Sequence, residues 1–282
     1  LDQGADYLNS IVETNIASRM AAGTVRAFQQ ATTLHMVPIN LIGVAISTAA
    51  FPQMTERLSQ GRPDLFKKEL QAILRVIIWL ALPVATVTFF TRGYLVNFIK
   101  NGGDALMAGL LGALVVAILF RSIYHIAARS FYAQQDTKTP LYISIFAIGL
   151  NIALAVWFTT SLNMGAYGLA WAQSTVAFLE VMVLFYVMQR RIKGLFDLAF
   201  MRAVFRMASA TGFMAIISYI SVQLFQLAAD DQSLPATLPK FIVIVLISGA
   251  AYLLFSKMLG LHEANPVLAR LKRLAFGKFR TQ

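Results

Sequence analysis

The chain has 282 residues, 58% of them hydrophobic and only 13% charged, with a formal net charge of +11. A soluble domain of this length cannot bury so much apolar surface, so a large soluble helical bundle is set aside for an all-α integral membrane protein. There is no cysteine, which removes disulfides, thiol catalysis and thiolate metal sites.

Eight apolar stretches follow one another, over 3–21, 27–55, 69–91, 105–128, 140–160, 164–188, 203–228 and 238–259. Most approach the ~20 residues that a helix needs to cross a ~30 Å hydrocarbon core. In the first, Asp2, Asp6, Asn9 and Glu13 recur at spacings that put them on one helical face. Carboxylates are costly against lipid, so this face is expected to turn toward other helices or a water-filled cavity. For Asp2 and Asp6 a head-group-level position near a helix start serves equally well.

Pro38 divides the second stretch into a polar half, with Gln29, Gln30, Thr32, Thr33 and His35, and an apolar half that ends near Pro52. Pro83 is expected to interrupt the third stretch in the same way. Kinked, half-polar spans mark transport pathways. In the fourth, Arg121, His125 and Arg129 stand at i, i+4 and i+8 and form a basic face. Glu180 lies within the sixth. A basic face in a membrane cavity suits a phosphate or diphosphate. Two other roles stay open here: Arg121 pairs with Glu180 or Glu13 as a structural bridge, and Arg129 snorkels to the head groups.

The connections carry the orientation. Arg57, Arg62, Lys67 and Lys68 fill 57–68, and most of the remaining lysines and arginines fall in 129–139, 189–206 and the tail. Cytoplasmic loops are rich in such residues, so both chain ends are expected on the cytoplasmic side. The positive charge is then an attraction to anionic membrane lipids. It lies in loops between spans, which argues against nucleic acid as a partner. Residues 263–282 mix apolar and basic side chains and predict an interfacial amphipathic helix.

The three histidines, His35, His125 and His262, show no ligand spacing, and no Gly-rich phosphate loop precedes a helix. No enzyme, metal site or organic cofactor is expected. Asp6, Glu13 and Asn151 offer oxygen ligands for Na+ or a proton, so a cation or the membrane potential is the expected coupling source. The chain starts at Leu1, without Met or a signal peptide, and is expected to be part of a longer protein.

The connection after the fourth stretch reads FYAQQDTKTP over 131–140. Asp136 or Thr137 is placed to cap the next helix, and Pro140 suits its first turn. This string resembles the FYAxxDTxTP signature of the MurJ (MviN) lipid II flippase family, within the multidrug/oligosaccharidyl-lipid/polysaccharide exporter superfamily. Pro38 through Met54 is similar to a second family segment at Pro38, Gly43, Ala45, Thr48 and Pro52, with Asn40 where a glycine is usual. Gly165 through Ala170 is similar to the family's GLA element, and Asn151 occupies a position often Asn in relatives.

The resemblance implies a six-helix C-terminal lobe over 1–195, two additional transmembrane helices over 196–260 that form a lipid-tail groove, and a basic cytoplasmic tail over 261–282. The N-terminal lobe of the same protein would be missing. It implies a flippase that moves a lipid-linked peptidoglycan precursor, a lipid-linked sugar diphosphate, across the bacterial cytoplasmic (inner) membrane by alternating access. Cell-wall synthesis proteins would be further partners. Many relatives carry a cavity arginine about five residues before the proline matched by Pro38, where this chain has Thr33. Arg121, His125, Arg26 and His35 are therefore the candidate substrate contacts, with Thr33 at the altered position. Two rival readings are a polysaccharide or drug exporter of the same superfamily and a non-transporting membrane scaffold for cell-wall synthesis.

Overall fold

The computed structural model describes residues 11–227 and 234–269, and every regular element among them is helical. In chain order these are α1 (described over 11–18), α2 (Thr24–Ile39), a π-helical turn (Asn40–Val44), α3 (Ala45–Ser59), α4 (Pro63–Ile99), α5 (Ala105–Ala133), α6 (Lys138–Val156), a second π-helical turn (Trp157–Ser161), α7 (Ala166–Arg191), α8 (Leu198–Leu224) and α9 (Leu234–Met258). Among the described residues seven helices are long and apolar enough to cross a membrane, with α2 and α3 joined as one of 36 residues. The first expected stretch is helical over 11–18, while Asp2, Asp6 and Asn9 lie outside the described residues. The tail is described to 269, with a helical segment at 265–269, and its remainder is likewise outside.

The helix ends follow from local chemistry. Pro63 opens α4 at a position where its missing N–H has no intrahelical partner to lose. Asp104 caps α5 by accepting from the Met107 N–H at 3.0 Å, and Lys100 holds that carboxylate at 2.7 Å. Asp197 caps α8 through the Phe200 N–H at 2.7 Å.

α5 is the central post, packed against α2, α4 and α7. Its Leu110, Leu111, Leu114 and Ile118 are fully buried. α6 leans on α7, while α8 and α9 pair with each other and dock on α4. Large apolar side chains are also exposed, among them Phe146 on α6, Phe205 on α8 and Leu246 on α9. A soluble monomer rarely shows such faces, whereas lipid accepts them.

Two of the helix-interior prolines, Pro38 and Pro83, do different things. After Pro38, α2 widens into the π turn, where the Ala45 N–H reaches back five residues to the Asn40 carbonyl. The turn presses Gly43 onto α5. A Cβ at Gly43 would stand 2.6 Å from Ser122 Cα, so only glycine fits that crossing. Thr48 then donates to the Val44 carbonyl at 2.6 Å. Gly168 does a similar job elsewhere, since its Cβ would meet the Thr159 backbone nitrogen at 2.8 Å.

Pro83 does not interrupt its helix, contrary to expectation: α4 runs unbroken from Pro63 to Ile99. Proline lacks the N–H that would bond the carbonyl four residues back, here that of Trp79. The Tyr252 hydroxyl on α9 donates to that carbonyl at 2.8 Å. The Trp79 indole N–H in turn donates to Ser256 at 3.2 Å. The gap in α4 is thereby filled from α9, and it doubles as the polar anchor of the α8–α9 pair.

Candidate functional site

A cavity of about 910 Å³ opens between α1, α2, α5, α6 and α7. Two buried carboxylates stand on its wall. Glu13 accepts from the Asn151 carboxamide at 2.7 Å and from the Gln173 carboxamide at 2.7 Å. Glu180 accepts from the Ser144 hydroxyl at 2.9 Å and from Arg121 Nη1 at 3.3 Å. Tyr124 lies 2.8 Å from Ser144. Ser144 has one hydroxyl hydrogen, committed to Glu180, so Tyr124 is the donor to it.

The basic face expected on α5 is present and lines this cavity. Arg121, His125 and Arg129 all contribute to its wall, as do His35 and Thr33 from α2. Arg26 is exposed at the start of α2 and does not line it. Thr33 donates back to the Gln29 carbonyl at 2.9 Å and His35 to the Thr32 carbonyl at 2.6 Å, so both are held by their own helix. Arg121 is paired with Glu180, the bridge the sequence left open, yet its side chain keeps 31% exposure against 2% for the acid. Arg129 has no ion-pair or hydrogen-bond partner among the described residues, although it lines the same cavity. Glu13 and Asn151 are brought into contact, while Asp6, the third expected cation ligand, lies outside the described residues.

The FYAQQDTKTP connection is a clamp. Asp136 Oδ1 accepts from the Lys138 and Thr139 N–H groups, both at 3.0 Å, so Asp136 caps α6 and Thr137 does not. Its other oxygen accepts from the Thr139 hydroxyl at 2.6 Å and from Arg191 at 2.6 Å. Arg191, at the end of α7, also bonds Thr139 at 2.9 Å and lies 5.0 Å from the Phe131 ring centre. The Thr139 hydroxyl leads, with its N–H and Arg191, in holding the Asp136 carboxyl down to about 2. Pro140 is buried in the first turn of α6.

Sequence reasoning did not find Gln173, Ser144, Tyr124 or Arg191 as partners. One signal was there: Ser144 and Asn151 on α6, and Gln173 and Glu180 on α7, are both seven apart, which is two turns on one face.

The family model described as "Lipid II flippase MurJ" matches residues 1–260. A probable lipid II flippase MurJ of Thermotoga maritima is 24% identical over 276 residues, which cover 96% of this chain and 53% of that protein. The lipid II flippase MurJ of Burkholderia cenocepacia is 35% identical over 148 residues, or 49% of this chain and 28% of that protein. A solved structure of a lipid II flippase MurJ in an inward closed conformation superposes with a TM-score of 0.75 at 20% identity, covering 91% of this chain and 51% of that one. A MOP superfamily transporter from Pyrococcus furiosus shares the fold with a TM-score of 0.55 at 11% identity. The chain thus spans about half the length of the Thermotoga relative, and of a Rhizobium tropici one of which it covers 51%.

Proposed function

The chain belongs to the lipid II flippase MurJ family, and from that premise we propose that it is one lobe, with two further helices, of a transporter for a lipid-linked sugar diphosphate. The substrate is lipid II, a peptidoglycan precursor carried across the bacterial cytoplasmic membrane by alternating access. The other half of the full-length protein supplies the facing lobe. The observation that carries this is the cavity wall, where one helix presents Arg121 and Arg129 to a space large enough for a sugar diphosphate head group.

A guanidinium offers five N–H donors in a rigid fork that matches phosphate oxygens. Such charge-assisted bonds contribute most where water is partly excluded and the charge faces a cavity and not lipid. Arg121 and Arg129 meet both conditions, with His125 between them on the same face. Helices α1 to α7 form the lobe, and α8 and α9 are the additional pair, docked on α4. Glu13, with Asn151 and Gln173 beside it, is the coupling site for Na+ or a proton.

The function is tested by depleting the full-length protein and identifying the lipid-linked precursor that accumulates, then restoring it with variants. Losing one charged hydrogen bond costs ~1.5–3 kcal/mol, so Arg121→Ala should lower head-group affinity roughly ten- to hundredfold. Arg121→Lys should impair transport nearly as much, because lysine lacks the fork. Accumulation of some other lipid-linked sugar would overturn the choice of substrate.

The charge of the basic connections supports a cytoplasmic side for the 57–68, 129–139 and 189–206 loops and for both ends of this segment. Single cysteines at Ser59 and Ser161, both exposed, report this directly, since the chain has no other thiol. Only the Ser161→Cys protein should react with an impermeant reagent outside intact cells.

A further inference from the structure

We infer that Glu180 is a positioning residue that sets how tightly the cavity grips an anion, by holding Arg121 oriented and partly neutralised. This rests on Arg121 being a phosphate contact. The acid sits behind and the base in front: the Glu180 side chain is 2% exposed and that of Arg121 31%. The contact uses a single nitrogen, Nη1, at 3.3 Å, and Arg121 makes no other hydrogen bond among the described residues. The Nε and Nη2 edge of the fork is thus available to a ligand.

The carboxylate cannot follow the ligand. Its other oxygen is held by Ser144 on α6 at 2.9 Å, and Tyr124 on α5 backs Ser144 at 2.8 Å. Helices α5, α6 and α7 therefore all fix this one acid. Arg121 could leave it only by stripping a buried carboxylate of its guanidinium, which is strongly unfavourable. It stays tethered and presents the same edge to each incoming phosphate, with its field reduced by the acid. Arg129, two turns further along α5, carries no such counter-charge among the described residues. A transporter must bind its cargo well enough to load it and weakly enough to release it. The tethered arginine serves release, and the bare one serves capture.

The test uses the full-length protein in lipid nanodiscs, with inorganic pyrophosphate as the probe in calorimetry. Gln at position 180 still accepts from Arg121 but has no charge. Glu180→Gln should bind pyrophosphate about tenfold more tightly, the size expected for removing one nearby unit charge at intermediate dielectric. In a vesicle flipping assay the same variant should lower both KM and kcat, because release becomes slow. Glu180→Ala loses the orientation as well and should show no such gain. Ser144→Ala, which keeps the charge but frees the acid to take more of Arg121, should weaken pyrophosphate binding about threefold. This variant also covers the case in which a change at position 180 fails to fold.

Equal weakening in Glu180→Gln and Glu180→Ala, or no change in either, would overturn the inference and leave Glu180 a purely structural partner. An unchanged Ser144→Ala would do the same. Those results leave the substrate reading standing. Pyrophosphate binding that Arg121→Ala does not alter, or no saturable binding by the wild type, removes the phosphate role of Arg121 and the inference with it.

Discussion

Glu13 and Glu180 are buried on the wall of one cavity and are served by the same two helices, yet they are built differently. α6 gives Asn151 to Glu13 and, two turns earlier, Ser144 to Glu180. α7 gives Gln173 to Glu13 and, two turns later, carries Glu180 itself. Seven residues are about 10 Å of helix, so the two sites are separate but adjacent levels of one cavity. At Glu13 two of the donors are carboxamides, which can rotate and offer oxygen in place of N–H. At Glu180 one donor is a guanidinium, which has no acceptor to offer. The first pair of donors is therefore free to turn oxygens inward beside the carboxylate, and the second is fixed.

The largest effect should come from breaking the fixed site. Arg121→Ala leaves a buried carboxylate without its cation, and unfolding of the purified protein in detergent should show a loss of about 3–5 kcal/mol. Adding Glu180→Gln should recover more than half of it, because the charge left behind is then gone. Strict additivity of the two changes would erase the distinction between the sites.

A smaller effect sharpens the other side. Asn151→Asp removes the N–H donor at Glu13 and adds an oxygen. With a cation between the two acids, the variant should fold in sodium and lose about 1–2 kcal/mol when sodium falls from ~tenfold above its Kd to zero. Destabilisation that is the same in sodium and in choline would mean that no cation bridges them, and Glu13 would then be as fixed as Glu180.

The smallest effect belongs to a third carboxylate, outside the membrane. Asp136 titrates at about 2, below its ordinary value, so its contribution is fully present above the unfolded carboxylate range near ~4. It should be lost as pH falls from there toward 2. Protection of the Lys138 and Thr139 amides, from whose N–H groups Asp136 accepts, measured against the intrinsic exchange rate at each pH, should fall across that window in the wild type and be flat in Asp136→Asn.

Much of this was legible in the chain. Apolar length gave the seven spans found among the described residues, and the i, i+4, i+8 ladder put Arg121, His125 and Arg129 on a face that does line the cavity. Glu13 and Asn151 are read from the sequence as joint oxygen ligands of a cation; they do meet, as a hydrogen-bonded pair. What could not be read was register. Arg191 meets Thr139 across 52 residues, and Gln173 meets Glu13 across 160. Such pairs depend on the relative height and rotation of two helices, which no local pattern encodes. Pro83 was misread for the same reason. A proline predicts a missing hydrogen bond, but whether a kink follows depends on a donor elsewhere, here Tyr252, 173 residues from Trp79.

That distance has a consequence for how the protein is made. A ribosome adds roughly 5–20 residues per second, so about 9 to 35 seconds separate the synthesis of Trp79 from that of Tyr252. Through that interval α4 sits in the bilayer with an open carbonyl, a group that hydrocarbon solvates poorly. The nascent helix is thus marked as unfinished until α9 arrives. A quality-control protease or insertase that senses exposed backbone in lipid would find its target at Trp79, and a Tyr252→Phe protein would carry the mark for life.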